Sequence, residues 1–485
     1  MPQAGDTNVR SRPSGRDSGA HRATLDRSGG RAGTGNGRGS VSRVLGGVAA
    51  TEESGLALRD VDPHAALAVG ALVVLAAEVA HVELGSDVWV LVEAVAALVA
   101  LVVAWRAQER IRLRPLLVLA LAFHAGWVAL HLGLHVAGDY DSRSVYRREG
   151  DALLDGRYPR SEYPVGAVLL FAFESWVSGG ATRTANALVM IPFQLATVAA
   201  VWACRTRRSA WLAAVVAFWP LDAFYWEFKF DLVAASLLAV GLVLALRRRW
   251  ALAGAALGLG AVVKWTPALA FATLAVWLGA SREWRPLGRL ALAFATTVVI
   301  FYVPFLAWSP SEVLAAYTRQ GGRSITAESV WYLPLHASGL AHLRGHVSFR
   351  AGAPHWADVL AVAVQLALVL GTIAAAVLVR RQLRPAVAVA ATAPVVFLLT
   401  NRVFSPQFMV VILAAWALAA SLVTRSRREQ FAVAFAAGAA TLANAFVYPY
   451  ALPHYAVLWQ VASATLFAFS LAATAWLVGI VVTRY

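Results

Sequence analysis

The sequence predicts an all-α polytopic membrane protein, and three observations lead there. The residues are 59% hydrophobic and only 14% charged, where a soluble domain carries roughly 25% charged residues. Mean hydropathy is +0.62. Apolar stretches of about 20 residues recur from His64 to Val482, and each can cross a hydrocarbon core of roughly 30 Å as a helix that satisfies its own backbone.

Taken in order, Met1 to Asp60 is rich in Gly, Ser and Arg and holds no apolar run suited to a signal peptide. Residues 1–60 are therefore expected to be a disordered basic tail on the cytoplasmic side. Residues 61–485 are expected to be the membrane domain. Its spans fall near 65–83, 87–106, 115–134, 183–203, 209–226, 230–246, 250–264, 267–279, 288–307, 358–379, 385–400, 406–423, 430–448 and 457–481. That makes a bundle of about 13–14 transmembrane helices. Pro164 to Gly179 is about 16 residues long, carries Glu174 and ends at Gly179-Gly180. A juxtamembrane helix suits it better than a crossing.

Arginines set the expected orientation. They cluster at Arg106 to Arg114, Arg205 to Arg208, Arg247 to Arg249, Arg282 to Arg289, Arg380 to Arg384 and Arg425 to Arg428. With the tail inside, all of these connections fall on the cytoplasmic side, as the positive-inside rule requires. The net charge of +15 then reflects membrane orientation, and no nucleic-acid partner is expected. Membrane lipids are the surroundings; oligomeric state is not encoded in any motif. The single cysteine, Cys204, excludes an intrachain disulfide and a cysteine-based zinc cluster. No internal repeat of the kind that marks many transporters is present.

Chemistry is then expected at the opposite, extracytoplasmic ends, above all in loops 135–182 and 309–357. Of 42 basic residues only Lys229 and Lys264 are lysines, and both lie at outer span ends. A compact ammonium there can bind a phosphate; snorkelling to the headgroups is the plain alternative. Asp139 and Asp141 are the general-base candidates, since a carboxylate near the low-dielectric boundary can accept a hydroxyl proton. A solvated acidic loop tip is their plain alternative. Arg143, Arg147 and Arg148 can steer an anionic headgroup or pair with these acids. Lys264-Trp265-Thr266-Pro267 breaks a helix, and Asn401-Arg402-Val403-Phe404-Ser405-Pro406-Gln407 is a second polar break. Irregular backbone at such depth must face protein or a water-filled cavity. His131 and His135 sit one helical turn apart, but without a neighbouring carboxylate motif they are expected to pack rather than ligate a metal. Glu78 and Glu93, inside the first two spans, have no assigned role.

An ordered set of short pieces resembles a known family. They are an acid before Tyr146, Ala152-Leu153-Leu154-Asp155-Gly156, Tyr158-Pro159, Glu162-Tyr163-Pro164 and Lys229-Phe230-Asp231-Leu232. Ala253-Gly254 through Gly258-Leu259 to Lys264-Trp265-Thr266-Pro267 follow, then Arg323 with Glu328-Ser329, and the stretch from Asn401 to Phe408. In these the chain resembles the polytopic glycosyltransferases of the GT-C class, most closely glycosyltransferase family 87, over roughly residues 110–450. It departs at Pro164-Val165, where the family has a double proline, and in two added N-terminal spans. The resemblance implies an inverting transfer of a sugar, mannose first, from a polyprenyl-phosphate donor to a glycolipid or glycan acceptor outside the cytoplasm. It implies Asp141, or failing it Asp139, as base, with Lys264, Arg402 and Lys229 at the donor phosphate. Tyr146, Glu162, Tyr163, Asp231, Arg323, Glu328, Asn401 and Gln407 are implied around the substrates. A divalent cation is the one cofactor left open. A transporter or lipid flippase is the competing class; it would need polar residues at several depths rather than at one face.

Overall fold

The computed structural model describes residues 61–136, 140–204, 206, 209–343, 351–448 and 456–485. Asp139, the tail 1–60 and the arginines at 205, 207 and 208 lie outside the described residues.

The described residues are mostly helical. Helix α1 (Pro63–Leu84) starts where the Asp62 side chain accepts from the His64 backbone N–H at 3.1 Å, and it ends at Gly85 in the left-handed conformation. Helices α2 (Val88–Arg106) and α3 (Leu113–Gly133) follow, then a short amphipathic α4 (Tyr146–Leu154) and α5 (Val165–Ser178). Next come α6 (Thr182–Trp202), α7 (Ser209–Phe218), α8 (Ala223–Phe228), α9 (Asp231–Leu246), α10 (Trp250–Val263) and α11 (Pro267–Ala280). The last group is α12 (Trp284–Trp308), α13 (Pro310–Gly321), α14 (Tyr332–Ala337), α15 (His355–Leu378), α16 (Leu383–Thr400), α17 (Met409–Val423), α18 (Arg427–Val447) and α19 (Ala456–Arg484). Strand pairing among the described residues is one two-residue antiparallel contact, β1 (His342–Leu343) with β2 (Ala351–Gly352).

Among the described residues, ten helices are long and apolar enough to cross a membrane, and five more are shorter and apolar. The protein is a multi-pass, all-α membrane protein. One expected span, 209–226, is not a single helix. Trp219-Pro220 interrupts it, because proline supplies no N–H and crowds the preceding turn. Helix α5 is 14 residues long, the same as α10 and α11, so length alone does not set it apart.

The core sits around α16 and α17; every residue of α17 is buried. Lipid, as apolar as leucine, does not drive helices together, so close packing of small residues has to. Gly254 and Gly258, four apart on α10, lie against the Leu290 and Phe294 carbonyls of α12, where a Cβ would collide with backbone. Gly150 of α4 rests on the Phe171 carbonyl of α5 in the same way, and Gly166 of α5 on the Val262 carbonyl of α10. These contacts stack α4 and α5 beside the end of α10, where the site lies.

At the other end of the bundle the basic connections form a linked network. Arg427 meets Glu109 at 3.7 Å, Arg484 meets Glu429 at 2.8 Å, and Arg248 meets Glu283 at 3.5 Å. Ser281 Oγ donates to the Arg380 carbonyl at 2.5 Å, and Gln382 donates to the Tyr485 carbonyl at 3.4 Å. The described arginine clusters therefore share one end, opposite the cavity.

Candidate active site

Five stretches distant in sequence converge on one cavity of about 790 Å³. Its lining side chains come from within residues 141–149, 160–164, 264–266, 316–323 and 397–408, joined by Phe230, Val362 and Gln365 from neighbouring helices. Each stretch lies where a helix stops or starts, and helix ends leave backbone groups and side chains free to face water.

Asp141 opens a π-helical turn, Asp141–Val145, that feeds α4; such wide turns recur at functional sites. Its carboxylate lies 2.7 Å from the Lys229 ammonium, just past the end of α8. Asp231, fully buried in the first turn of α9, accepts from Lys264, which ends α10. Carboxylate at a helix N-terminus and ammonium at a C-terminus both suit the helix dipoles. The Lys264 ammonium also lies 4.3 Å from the Phe408 ring centroid. Both lysines are thus matched with carboxylates.

The 401–408 break supplies the far wall. Asn401 Oδ1 accepts from the Val403 N–H at 3.0 Å, a local turn of the kind asparagine favours, and Ser405 donates to Gln407 at 2.9 Å. Arg402 donates to the Gly321 carbonyl, and its own carbonyl accepts from Thr326 N–H at 2.9 Å. These bonds hold the second long loop over the break. That loop also reaches the first one: Arg319 donates to the Arg160 carbonyl at 2.9 Å, and Arg323 pairs with Glu162.

Of the residues expected at the site, Asp141, Glu162, Tyr163, Lys264, Arg323, Asn401, Arg402 and Gln407 line the cavity. Tyr146 does not. It is buried behind the wall, stacked on Phe171 with centroids 4.1 Å apart and set edge-on to Tyr163 and Phe230. Asp231 and Lys229 stand behind it as partners of Lys264 and Asp141. Glu328 is buried too, and burial pushes its carboxyl up to about 8, against the pull of Lys229 and Arg323.

Sequence reasoning missed Glu149, Arg160, Arg319 and Gln365, all on the cavity wall. Glu149 is the most informative of them. Burial raises its carboxyl to about 7, although the Ser161 hydroxyl donates to it at 2.5 Å. A carboxyl so shifted inside a cleft marks a functional candidate. Its signal in sequence was only an acid one turn after Tyr146. Among the described residues, six cations line the wall (Arg148, Arg160, Lys264, Arg319, Arg323 and Arg402) against three carboxylates (Asp141, Glu149 and Glu162). The balance favours an anionic ligand.

The sequence model of glycosyltransferase family 87 matches residues 162–406, half of the chain. The chain belongs to glycosyltransferase family 87. No curated protein matches it. As a family 87 member the protein is a membrane glycosyltransferase. The matched stretch begins at Glu162, so it holds Lys264, Arg323 and Arg402 but leaves out Asp141 and the helices α1 to α4.

Proposed function

We propose that this family 87 glycosyltransferase moves a sugar, mannose first among candidates, from a polyprenyl-phosphate donor to a glycolipid or glycan hydroxyl at the extracytoplasmic face. One observation carries the proposal: a net-cationic cavity at the bundle end opposite the arginine network holds a carboxylate against its wall. The arginine-rich end suits the cytoplasmic side by the positive-inside rule, which leaves the cavity outside.

The Asp141 carboxylate takes the proton from the acceptor hydroxyl as its oxygen attacks the anomeric carbon. The bond from that carbon to the phosphate oxygen breaks, inversion results, and polyprenyl phosphate leaves. Charge grows on the departing phosphate. Lys264 and Arg402 are fixed in advance by Asp231 and the Gly321 carbonyl, and pre-set donors of this kind stabilise a leaving group most. Lys229, 2.7 Å from the Asp141 carboxylate, aims it. The bilayer holds the lipid phosphate at one depth, which supplies proximity without a nucleotide pocket.

The test is direct. Purified protein in lipid vesicles is given a panel of polyprenyl-phosphate sugars with glycolipid acceptors, and products are read by mass spectrometry and anomeric NMR. A β-linked donor yielding an α-linked product, with free polyprenyl phosphate in equal amount, supports the proposal. No transfer from any lipid-linked sugar, with turnover of a nucleotide sugar instead, overturns it.

A further inference from the structure

A second polar constellation lies outside the cavity, between α1 and α2 and beside α3. Glu78 and His81 stand three apart on α1, hence on one helix face, and Glu93 of α2 faces them. Each offers one ligand-type atom, and these atoms lie within 4.8 Å of one another. Glu78 and Glu93 are buried, and Glu93, at 2% exposure, has a carboxylate oxygen with no hydrogen-bond partner among the described residues.

We propose that Glu78, His81 and Glu93 form a binding site for a divalent first-row transition ion, with zinc the best fit. The first argument is charge. Two buried carboxylates side by side cannot both be ionised unless a cation or a proton lies between them. A buried oxygen without a donor calls for the same partner. The second argument is spacing. His81 Nδ1 lies 3.3 Å from Glu78 Oε2, and neighbouring ligands on a tetrahedral ion with bonds of roughly 2.0–2.1 Å sit about 3.4 Å apart. A Glu-x-x-His pair on one helix, completed by a glutamate from the next, is also how helical bundles build metal sites.

The third argument is the surrounding shell. Metal ligands are held by further hydrogen-bonding groups, and both kinds of ligand have them here. The Nε2 side of His81 faces Asp87 at 3.8 Å, which turns Nδ1 toward Glu78. Glu78 Oε1 is bonded by His131 Nε2 at 2.7 Å. His131 Nδ1 in turn meets Glu227 Oε2 at 2.6 Å, and Trp127 donates to that same oxygen at 3.1 Å. His131 therefore does not pair with His135, which is exposed and bonded to the Leu132 carbonyl. The ion would fasten α1 and α2 to α3 and α8. Mixed imidazole and carboxylate ligands favour zinc over magnesium or calcium.

The site stands independently of the proposed sugar transfer, and its test needs no turnover. Full-length protein in detergent, stripped with chelator and dialysed against zinc, is expected to retain one zinc per chain by elemental analysis. Zinc is also expected to raise its melting temperature. His81→Ala and Glu93→Gln should each weaken zinc affinity by about 10-fold or more and abolish the thermal shift. Wild-type protein that retains no zinc, or variants that retain it with unchanged affinity, would overturn the site. If a variant does not fold, X-ray absorption on zinc-loaded wild type decides. One imidazole with oxygen donors is expected, and a shell without imidazole refutes the assignment.

Discussion

Replacing Asp141 by Asn separates base catalysis from structural pairing, because the two losses differ in size. Asn keeps the shape and one acceptor for Lys229 but cannot hold the proton. Losing one partner of a buried ion pair costs about 3–5 kcal/mol, and an exposed pair contributes about 0–1 kcal/mol. Lys229 is 6% exposed and Asp141 32% exposed on the cavity. Water screens the pair from one side, and the expected stability loss is about 1–2 kcal/mol. A domain stable by roughly 5–15 kcal/mol remains folded after that loss. Removing a general base lowers the rate by about 10²–10⁴-fold, or roughly 3–5 kcal/mol of barrier. The assay is single-turnover sugar transfer in vesicles beside thermal unfolding in detergent, with Asp139→Asn as the comparison. A D141N rate within about 3-fold of wild type, on intact protein, refutes the base assignment; a collapse confined to D139N moves the role there.

The pH dependence of stability carries a second expectation. The Glu149 carboxyl is raised from the ordinary 4.5 to about 7 by burial. The folded state therefore binds the extra proton, and stability present below pH 4.5 is lost as pH rises through about 7. The upper limit is about 3 kcal/mol. Glu149→Gln should flatten the fall in melting temperature across that window; an unchanged slope places the titration elsewhere. Lys264→Met strands the fully buried Asp231 and should destabilise by about 3–5 kcal/mol, so it cannot report on donor binding alone. The paired Lys264→Met, Asp231→Asn variant should regain most of that stability yet still use the lipid donor poorly; wild-type kinetics in it would remove Lys264 from the phosphate. Arg323 and Glu162 are 42% and 40% exposed. Arg323→Ala should therefore cost at most about 1 kcal/mol of stability while raising the KM for the donor, and an unchanged KM would leave the pair as a loop latch only.

The two lysine–aspartate pairs explain how so polar a cavity persists beside hydrocarbon. A bare ammonium at that depth is costly, and each aspartate offsets the charge while no anion is bound. An arriving anion then meets donors whose positions are already fixed. The reorganisation is paid at folding rather than at reaction.

The sequence by itself determined the membrane class, the positions of most helices and the clustering of arginine in short connections. Those features depend on local hydropathy and on residues next to each other in the chain, which any window can see. It also marked Lys264 and Arg402, because a polar residue beside a proline break is conspicuous inside an apolar run. It could not show that Lys264 meets Asp231, or Lys229 meets Asp141, 33 and 88 residues away. Nor could it show that Glu78, Glu93 and Glu227 surround His131 and His81, since a histidine's carboxylate partners come here from other helices. Glu149 looked like any acid on an amphipathic turn until packing against α5 buried it. Hydropathy is written along the chain, whereas charge pairing and desolvation depend on distance in space, and helix packing alone sets that distance.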